Sequence, residues 1–207
     1  MILAKICLNY KRQKIFGLIL FLLIVNPINA QKIKGGFQVG GVISQVDGDD
    51  QAGYNKIGLF VGSFATLPFE KYNLQLQMEI NYAQKGSRKY TGSYFYKISL
   101  HQIEVPLLLG WNPWKNLWLE IGPSFNFLVD AKEILNDIEI ENQSKFHLFE
   151  LGGIAGISYC IREHYGFSVR FNYSLSPIGR NAVARGYRKL SLNMWNNAFV
   201  AFFYYQF

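Results

Sequence analysis

The stretch NAFVAFFYYQF, residues 197–207, is the most informative part of the chain for the fold. It alternates as a β-strand does and carries aromatic side chains on both faces. A transmembrane β-strand needs about 9–11 residues to cross a bilayer. An aromatic strand of this length therefore favours an outer-membrane β-barrel. One of its faces carries Phe199, Ala201, Phe203, Tyr205 and Phe207, and the other carries Ala198, Val200, Phe202, Tyr204 and Gln206.

The N-terminus has the layout of a secretory signal peptide. A basic segment containing Lys11, Arg12 and Lys14 precedes the uncharged apolar run 15–25, and Ala30 offers a small residue for cleavage. The run is too short for a membrane-spanning helix, which needs about 20 residues. We expect residues 1–30 to be removed, leaving residues 31–207 as one domain of an exported, outer-membrane protein.

Charge and cysteine content limit the function classes. The formal net charge of +7 falls to +3 when the four basic residues of the leader are removed, so no nucleic-acid partner is predicted. Cys7 leaves with the leader, so Cys160 remains alone and cannot form an intrachain disulfide. Aromatic residues at 16% and nineteen glycines favour strands and turns over helices.

Eight segments alternate at period two between turn signals. The intervening connections alternate between short and long, as in outer-membrane barrels, which pair short periplasmic turns with long outer loops. The sequence thus predicts an all-β fold, an eight-stranded antiparallel up-and-down transmembrane β-barrel. The expected strands are 33–46, 57–66, 74–87, 97–110, 117–130, 147–160, 166–175 and 192–207.

The two faces of the predicted strands differ in polarity. In the third strand Leu76, Met78 and Ile80 oppose Gln77 and Glu79, and four later strands repeat this contrast. A soluble lipocalin-like barrel and a membrane barrel share such alternation, with the apolar face inward in the first and toward lipid in the second. The leader and the aromatic residues near strand ends favour the membrane barrel. These aromatic residues are Tyr82, Trp111, Trp114, Trp118, Tyr159, Tyr173, Trp195 and Tyr205.

Several motifs resemble the PorT-like outer-membrane β-barrel family. They are NYAQKGSRKY (81–90), HQIEVPLLLGW (101–111), LWLEIGPSFNFLVDAK (117–132), ELGGIAGISY (150–159) and the closing strand. The resemblance implies a barrel of OmpA/OmpX-like size that the barrel-assembly machinery inserts through its last strand. Phe203, Tyr205 and Phe207 would then be the assembly signal. One branch of the family is tied to protein secretion and gliding, so envelope or secretion proteins are expected partners.

The polar faces predict a charged cluster inside the barrel. An eight-stranded barrel is just wide enough for its own side chains, which disfavours a diffusion porin. Carboxylates in such a space must be paired, hydrogen-bonded or protonated. We interpret the cluster as an internal plug of salt bridges and hydrogen bonds, with a proton or ion pathway as the alternative. Its members are Glu79, Glu104, Glu120, Glu150 and Arg170.

The predicted loops carry charge in blocks. The first is acidic and contains Asp47, Asp49 and Asp50; the second is basic and contains Lys85, Arg88 and Lys89. The third is acidic overall, with Glu133, Asp137, Glu139 and Glu141 against Lys132 and Lys145. The fourth is a basic patch of Arg180, Arg185, Arg188 and Lys189. These charges are either simply solvated or form a surface that binds lipopolysaccharide phosphate or an acidic partner.

The sequence offers no catalytic or metal-binding pattern. His101, His147 and His164 are scattered and have no ligand partner at metal spacing. We therefore predict no enzyme activity, no metal and no cofactor. The expected role is a structural or interaction protein of the cell envelope, in contact with outer-membrane lipid and lipopolysaccharide. The alternative is a narrow conductance or small-ligand-binding barrel.

Overall fold

The computed structural model describes residues 33–48, 53–92, 94–136, 138–140, 146–180 and 193–207. The predicted leader, residues 1–30, lies outside these ranges. In the described part of the chain, no helix combines the length and the apolar character needed to cross a membrane.

Eight long antiparallel strands form a closed ring. Each long strand pairs with the next one along the chain, and the first, β1 (Lys34–Asp47), pairs with the last, β10 (Asn193–Gln206), from Gly36–Gln206 to Asp47–Trp195. Two short strands, β6 (Ile138–Ile140) and β9 (Gly179–Arg180), pair with β5 (Leu117–Leu135) and β10. The structure confirms the predicted all-β ring of eight antiparallel strands. The long strands are β1 (Lys34–Asp47), β2 (Lys56–Phe69), β3 (Leu74–Thr91), β4 (Tyr94–Trp114), β5 (Leu117–Leu135), β7 (Phe149–Arg162), β8 (Tyr165–Ser174) and β10 (Asn193–Gln206).

One end of the ring, called here the terminal end, holds three short turns together with the first and last strand ends. The turns are residues 70–73, which include the 3-10 helix Glu70–Tyr72, and the connections 115–116 and 163–164. Asn73 and Asn116 adopt left-handed backbone angles, with φ of 52° and 73°. Asparagine tolerates this conformation better than most residues, which explains its place in such tight turns.

The opposite end, called the loop end, differs from the sequence-based prediction. The expected long loop 88–96 is wrong, because β3 and β4 pair up to Thr91–Tyr94. The predicted third loop also begins too early, since β5 continues to Leu135, and the sixth long strand starts at Phe149 rather than at residue 147. The polar and charged residues of these segments predicted loops, but backbone hydrogen bonds between paired strands hold them in β-strands.

The outer and inner faces of the ring have opposite polarity. Large apolar side chains point outward and are exposed, among them Phe37 (62%), Ile121 (64%) and Phe203 (61%). Glutamine, asparagine, serine, glutamate and arginine side chains fill much of the inside and are almost fully buried. A soluble barrel would show the reverse arrangement, so this one matches the lipid-facing exterior and polar interior of a membrane barrel.

Two neighbouring glycines of β1 test how closely the strands pack. A Cβ at Gly40 would collide with the carbonyl oxygen of Ala201, whereas a Cβ at Gly41 would lie 3.8 Å from its nearest neighbour, the carbonyl oxygen of Gly58. Gly40→Ala should lower the free energy of unfolding by about 1–3 kcal/mol, because the backbone must shift. Gly41→Ala is the matched control and should leave it nearly unchanged. Urea titration of the heat-modifiable folded band measures both; equal midpoints would contradict the packing.

Candidate functional site: the interior of the barrel

All five residues of the predicted internal cluster lie on the inner face of the ring. Glu79 and Glu104 come from β3 and β4, Glu120 and Glu150 from β5 and β7, and Arg170 from β8. Each is at most 6% exposed. Successive side chains of a β-strand point to opposite faces, and the residues directly before and after each of these five are apolar residues of the outer face.

Arg170 joins two carboxylates from different sides of the barrel. Its Nη1 and Nη2 atoms lie 2.9 Å from the two carboxylate oxygens of Glu79. Its Nε and Nη2 atoms lie 2.9 Å and 2.7 Å from Oε2 of Glu120. The guanidinium also stacks on the ring of Phe202, 4.7 Å from its centroid. The fixed fork of donors in arginine suits this double contact, which a lysine ammonium would not reproduce.

Neutral side chains complete the hydrogen bonding of the two carboxylates. Gln38, Gln77 and Asn81 each donate an amide hydrogen to Glu79, over 2.8, 2.6 and 2.8 Å. The Ser158 hydroxyl donates to Glu120 over 2.7 Å. Buried carboxylates are tolerated when they are paired and hydrogen-bonded in this way. These side chains therefore form one connected network across the barrel, called here the Arg170 network. It consists of Arg170, Glu79, Glu120, Gln38, Gln77, Asn81 and Ser158.

A second polar network lies toward the loop end. Lys85 forms an ion pair with Glu104, and both side chains are almost fully buried. Placing Lys85 in a basic loop was therefore wrong, because Lys85 lies within β3 on the same inward face as Glu79. Glu150 accepts hydrogen bonds from Gln102, Asn126 and Ser174 over 2.7, 3.2 and 2.6 Å.

The interior also contains two apolar clusters, which the sequence analysis did not identify. The first, the inner apolar cluster, consists of Val42, Phe60, Ala83, Ala198, Val200 and Phe202. The second, the mouth cluster, consists of Val46, Tyr96, Ile98, Leu100, Phe146, Ile178 and Met194. The signal for the first was present in β10, whose inward face is as apolar as its outward face.

At the loop end, described segments between the long strands pair with one another and supply Phe146 and Ile178 to the mouth cluster. Phe146 pairs with Gly179 in an isolated bridge, and the amide of His147 donates to the carbonyl of Ile178 over 2.7 Å. The Ile178 amide donates in turn to Met194 over 2.9 Å. Glu133, predicted in an acidic loop, is instead buried in β5 and accepts a hydrogen bond from the Tyr96 hydroxyl over 2.6 Å. Apolar side chains thus fill the barrel where it nears its loop end.

At the terminal end the interior opens into a cavity of about 730 Å³. Arg170 and Glu120 belong to its lining, so the Arg170 network forms its floor. Trp118 also lines this cavity, so its place in an outward aromatic girdle was a wrong expectation. Trp111, Trp114, Tyr159, Tyr173 and Tyr205 are exposed on the outside as expected.

The three histidines lie at separate places and make separate contacts. His101 is 2.6 Å from the Tyr82 hydroxyl, on the outer face of β4. His147 and His164 lie 3.1 Å and 2.8 Å from the carbonyl oxygens of Pro177 and Gln206. Within the described ranges, no three His, Cys, Asp or Glu side chains gather as a metal site would require.

The predicted assembly signal lies on the outside of the closing strand. Phe203, Tyr205 and Phe207 are 61%, 42% and 64% exposed. The backbone amide of Phe207 donates to the carbonyl of Gly35 over 2.9 Å, at the seam of the ring. Of the predicted basic patch, Arg180 is the second residue of β9, and Arg185, Arg188 and Lys189 lie outside the described residues.

Replacing Arg170 tests how much the Arg170 network contributes to stability. Arg170→Met leaves two buried carboxylates without their cation and should lower the free energy of unfolding by about 3–5 kcal/mol. Arg162→Met, at the exposed end of β7, is the control and should change it by less than about 0.5 kcal/mol. Adding Glu79→Gln and Glu120→Gln to Arg170→Met should restore part of the loss. An unchanged thermal midpoint of Arg170→Met in detergent would show that the network does not hold the barrel together.

Several solved structures are similar to the chain at low sequence identity. The attachment invasion locus protein Ail of Yersinia pestis is 11% identical, with 84% of this chain and 98% of that one covered and a TM-score of 0.47. Neisserial surface protein A is 12% identical, with 84% and 97% covered and a TM-score of 0.46. OprG from Pseudomonas aeruginosa is 15% identical, with 84% and 94% covered and a TM-score of 0.38. No curated protein matches the chain by sequence.

A match to a protein-family model assigns the chain to a family. The model described as "Outer membrane protein beta-barrel domain" matches residues 29–180, which is more than half of the chain. The match covers β1 to β9 and therefore includes every residue of the Arg170 network. The protein belongs to the outer membrane protein beta-barrel domain family, and it is a β-barrel of the outer membrane.

Proposed function

We propose that this protein is a closed barrel that acts as a structural or interaction component of the cell envelope, through its loop end rather than through a pore. The observation that carries the proposal is the filled interior. The Arg170 network spans the barrel, and the mouth cluster lies beyond it. An eight-stranded barrel leaves little space once such side chains occupy it.

The partners belong to the same proposal. Sequence resemblance supports the PorT-like grouping and, through it, a role alongside envelope or secretion proteins. The exposed aromatic residues Phe203 and Tyr205 of β10, and Phe207 directly after it, support insertion by the barrel-assembly machinery through these three residues. The basic composition of the fourth loop supports contact with lipopolysaccharide. We further propose that residues 1–30 are a cleaved leader, and that the protein is not an enzyme.

Ion conductance separates this function from a narrow channel. The wild-type barrel reconstituted in planar bilayers should give no steady conductance, because side chains of the Arg170 network and of the mouth cluster, all among the described residues, occupy its interior. Replacing Arg170, Phe202 and Met194 together by alanine shortens one side chain in each filled layer and should produce openings. Alanine at the outward-facing Leu107, Phe199 and Phe203 is the matched control and should stay silent. Steady conductance of the wild type would favour the channel.

Lipopolysaccharide affinity tests the role of the loop end. Changing Arg180, Arg185, Arg188 and Lys189 to glutamine should weaken binding about tenfold or more, since each cation near an anionic surface contributes about 1 kcal/mol. The same change at Lys34, Lys71, Lys115 and Arg162, four exposed cations of the terminal end, removes equal charge and should have little effect. Titration of detergent-solubilised protein with lipopolysaccharide at two salt concentrations measures both. Equal affinity of the two variants would exclude the basic patch as the binding surface.

A further inference from the structure

The cavity at the terminal end has the size and lining of a small-molecule site. Its volume of about 730 Å³ lies within the range of about 300–1,000 Å³ that ligand pockets occupy, and barrel mouths are a common place for them. Phe64, Trp118 and Tyr204 contribute aromatic surface, and Thr66 and Gln77 contribute polar groups. The cavity extends down to the Arg170 network, so a ligand there would contact buried charged groups.

The charged groups at and directly behind the floor of the cavity carry an excess of negative charge, since Arg170 and Glu120 line it and Glu79 lies behind them. One guanidinium, that of Arg170, faces two carboxylates, those of Glu79 and Glu120. Its Nε, Nη1 and Nη2 atoms are already engaged with these carboxylates. At the rim, Lys34 and Glu163 carry opposite charges that offset one another. An anion entering the cavity would therefore meet the carboxylate of Glu120, whereas a cation would be attracted to it.

The aromatic walls of the cavity also favour a positively charged ligand. Phe64 and Tyr204 stand edge to face, with ring centroids 6.0 Å apart, and Trp118 adds an indole. Aromatic faces carry negative partial charge and attract ammonium groups, most strongly for tryptophan. The face of Phe202 near the floor already receives the Arg170 guanidinium. The remaining three rings are part of the cavity lining and leave aromatic surface for a second cation.

From this geometry we propose that the terminal-end cavity binds a small organic cation with an apolar body. The ammonium group lies toward Glu120, and the apolar body packs against Trp118, Phe64 and Tyr204. This site is separate from the function proposed for the loop end, because the filled interior lies between them. Its failure would leave the closed-barrel proposal intact.

Isothermal titration of the whole barrel in a non-ionic detergent tests the proposal. The probes are benzyltrimethylammonium, benzyl alcohol and benzoate, which share a phenyl ring and differ in charge. The ammonium compound should bind at least about fivefold more tightly than either of the others. Equal binding of the three, tighter binding of benzoate, or no binding of the ammonium compound would overturn the proposal.

Two variants locate the site. Glu120→Gln keeps one carbonyl oxygen that can accept from Arg170, and its amide group can donate to the Ser158 hydroxyl, which then acts as the acceptor. The substitution removes the surplus charge and should weaken benzyltrimethylammonium binding about fivefold or more. Glu133→Gln makes the same change in the mouth cluster region and should leave that affinity unchanged. Trp118→Leu removes one wall without altering the floor and should also weaken binding. Heat-modifiable mobility verifies that each variant is folded; unchanged affinity in folded Glu120→Gln or folded Trp118→Leu would overturn the assignment.

Discussion

The double ion pair of Arg170 with Glu79 and Glu120 is the constraint on which the interior depends. These side chains come from β8, β3 and β5, so a single guanidinium links three strands that are not neighbours in the ring. Charges this deeply buried are tolerated only when paired and hydrogen-bonded, and here amide and hydroxyl donors from β1, β3 and β7 complete the pairing. The network therefore fixes how side chains from most of the ring meet at the centre.

The rest of the interior is organised around this network. Toward the terminal end, the network is the floor of an open cavity; toward the loop end, it gives way to apolar clusters and a second set of hydrogen bonds. Phe202 belongs to both regions, since it stacks on Arg170 and packs in the inner apolar cluster. Among the described residues, this layering gives the two ends different chemistry: a charged, aromatic recess at the terminal end and a buried apolar cluster near the loop end.

Local pattern determined the strands where one face is apolar and the other polar. The alternation in β3, β4, β5, β7 and β8 placed Glu79, Glu104, Glu120, Glu150 and Arg170 on one face without any structure. The same reasoning failed at Lys85 and Glu133, because charged residues near predicted loops were taken to be solvated. Lys85 lies within β3 on the same inward face as Glu79. Glu133 faces inward because a register shift opposite His101 and Gln102 changes the alternation of β5, which only the pairing with β4 reveals.

The sequence by itself determined the all-β fold, the eight long strands, the lipid-facing and interior faces, and the outer-membrane class. The strands and their two contrasting faces follow from period-two alternation and turn chemistry, which act between residues close in the chain. The leader-like N-terminus and the aromatic residues near strand ends indicated which of these faces contacts lipid. The tertiary structure alone decided which interior residues meet: Arg170 with Glu79 and Glu120, Lys85 with Glu104, and Trp118 with the cavity. These contacts join residues on different strands, and their geometry depends on the register and closure of the ring, which local pattern does not specify.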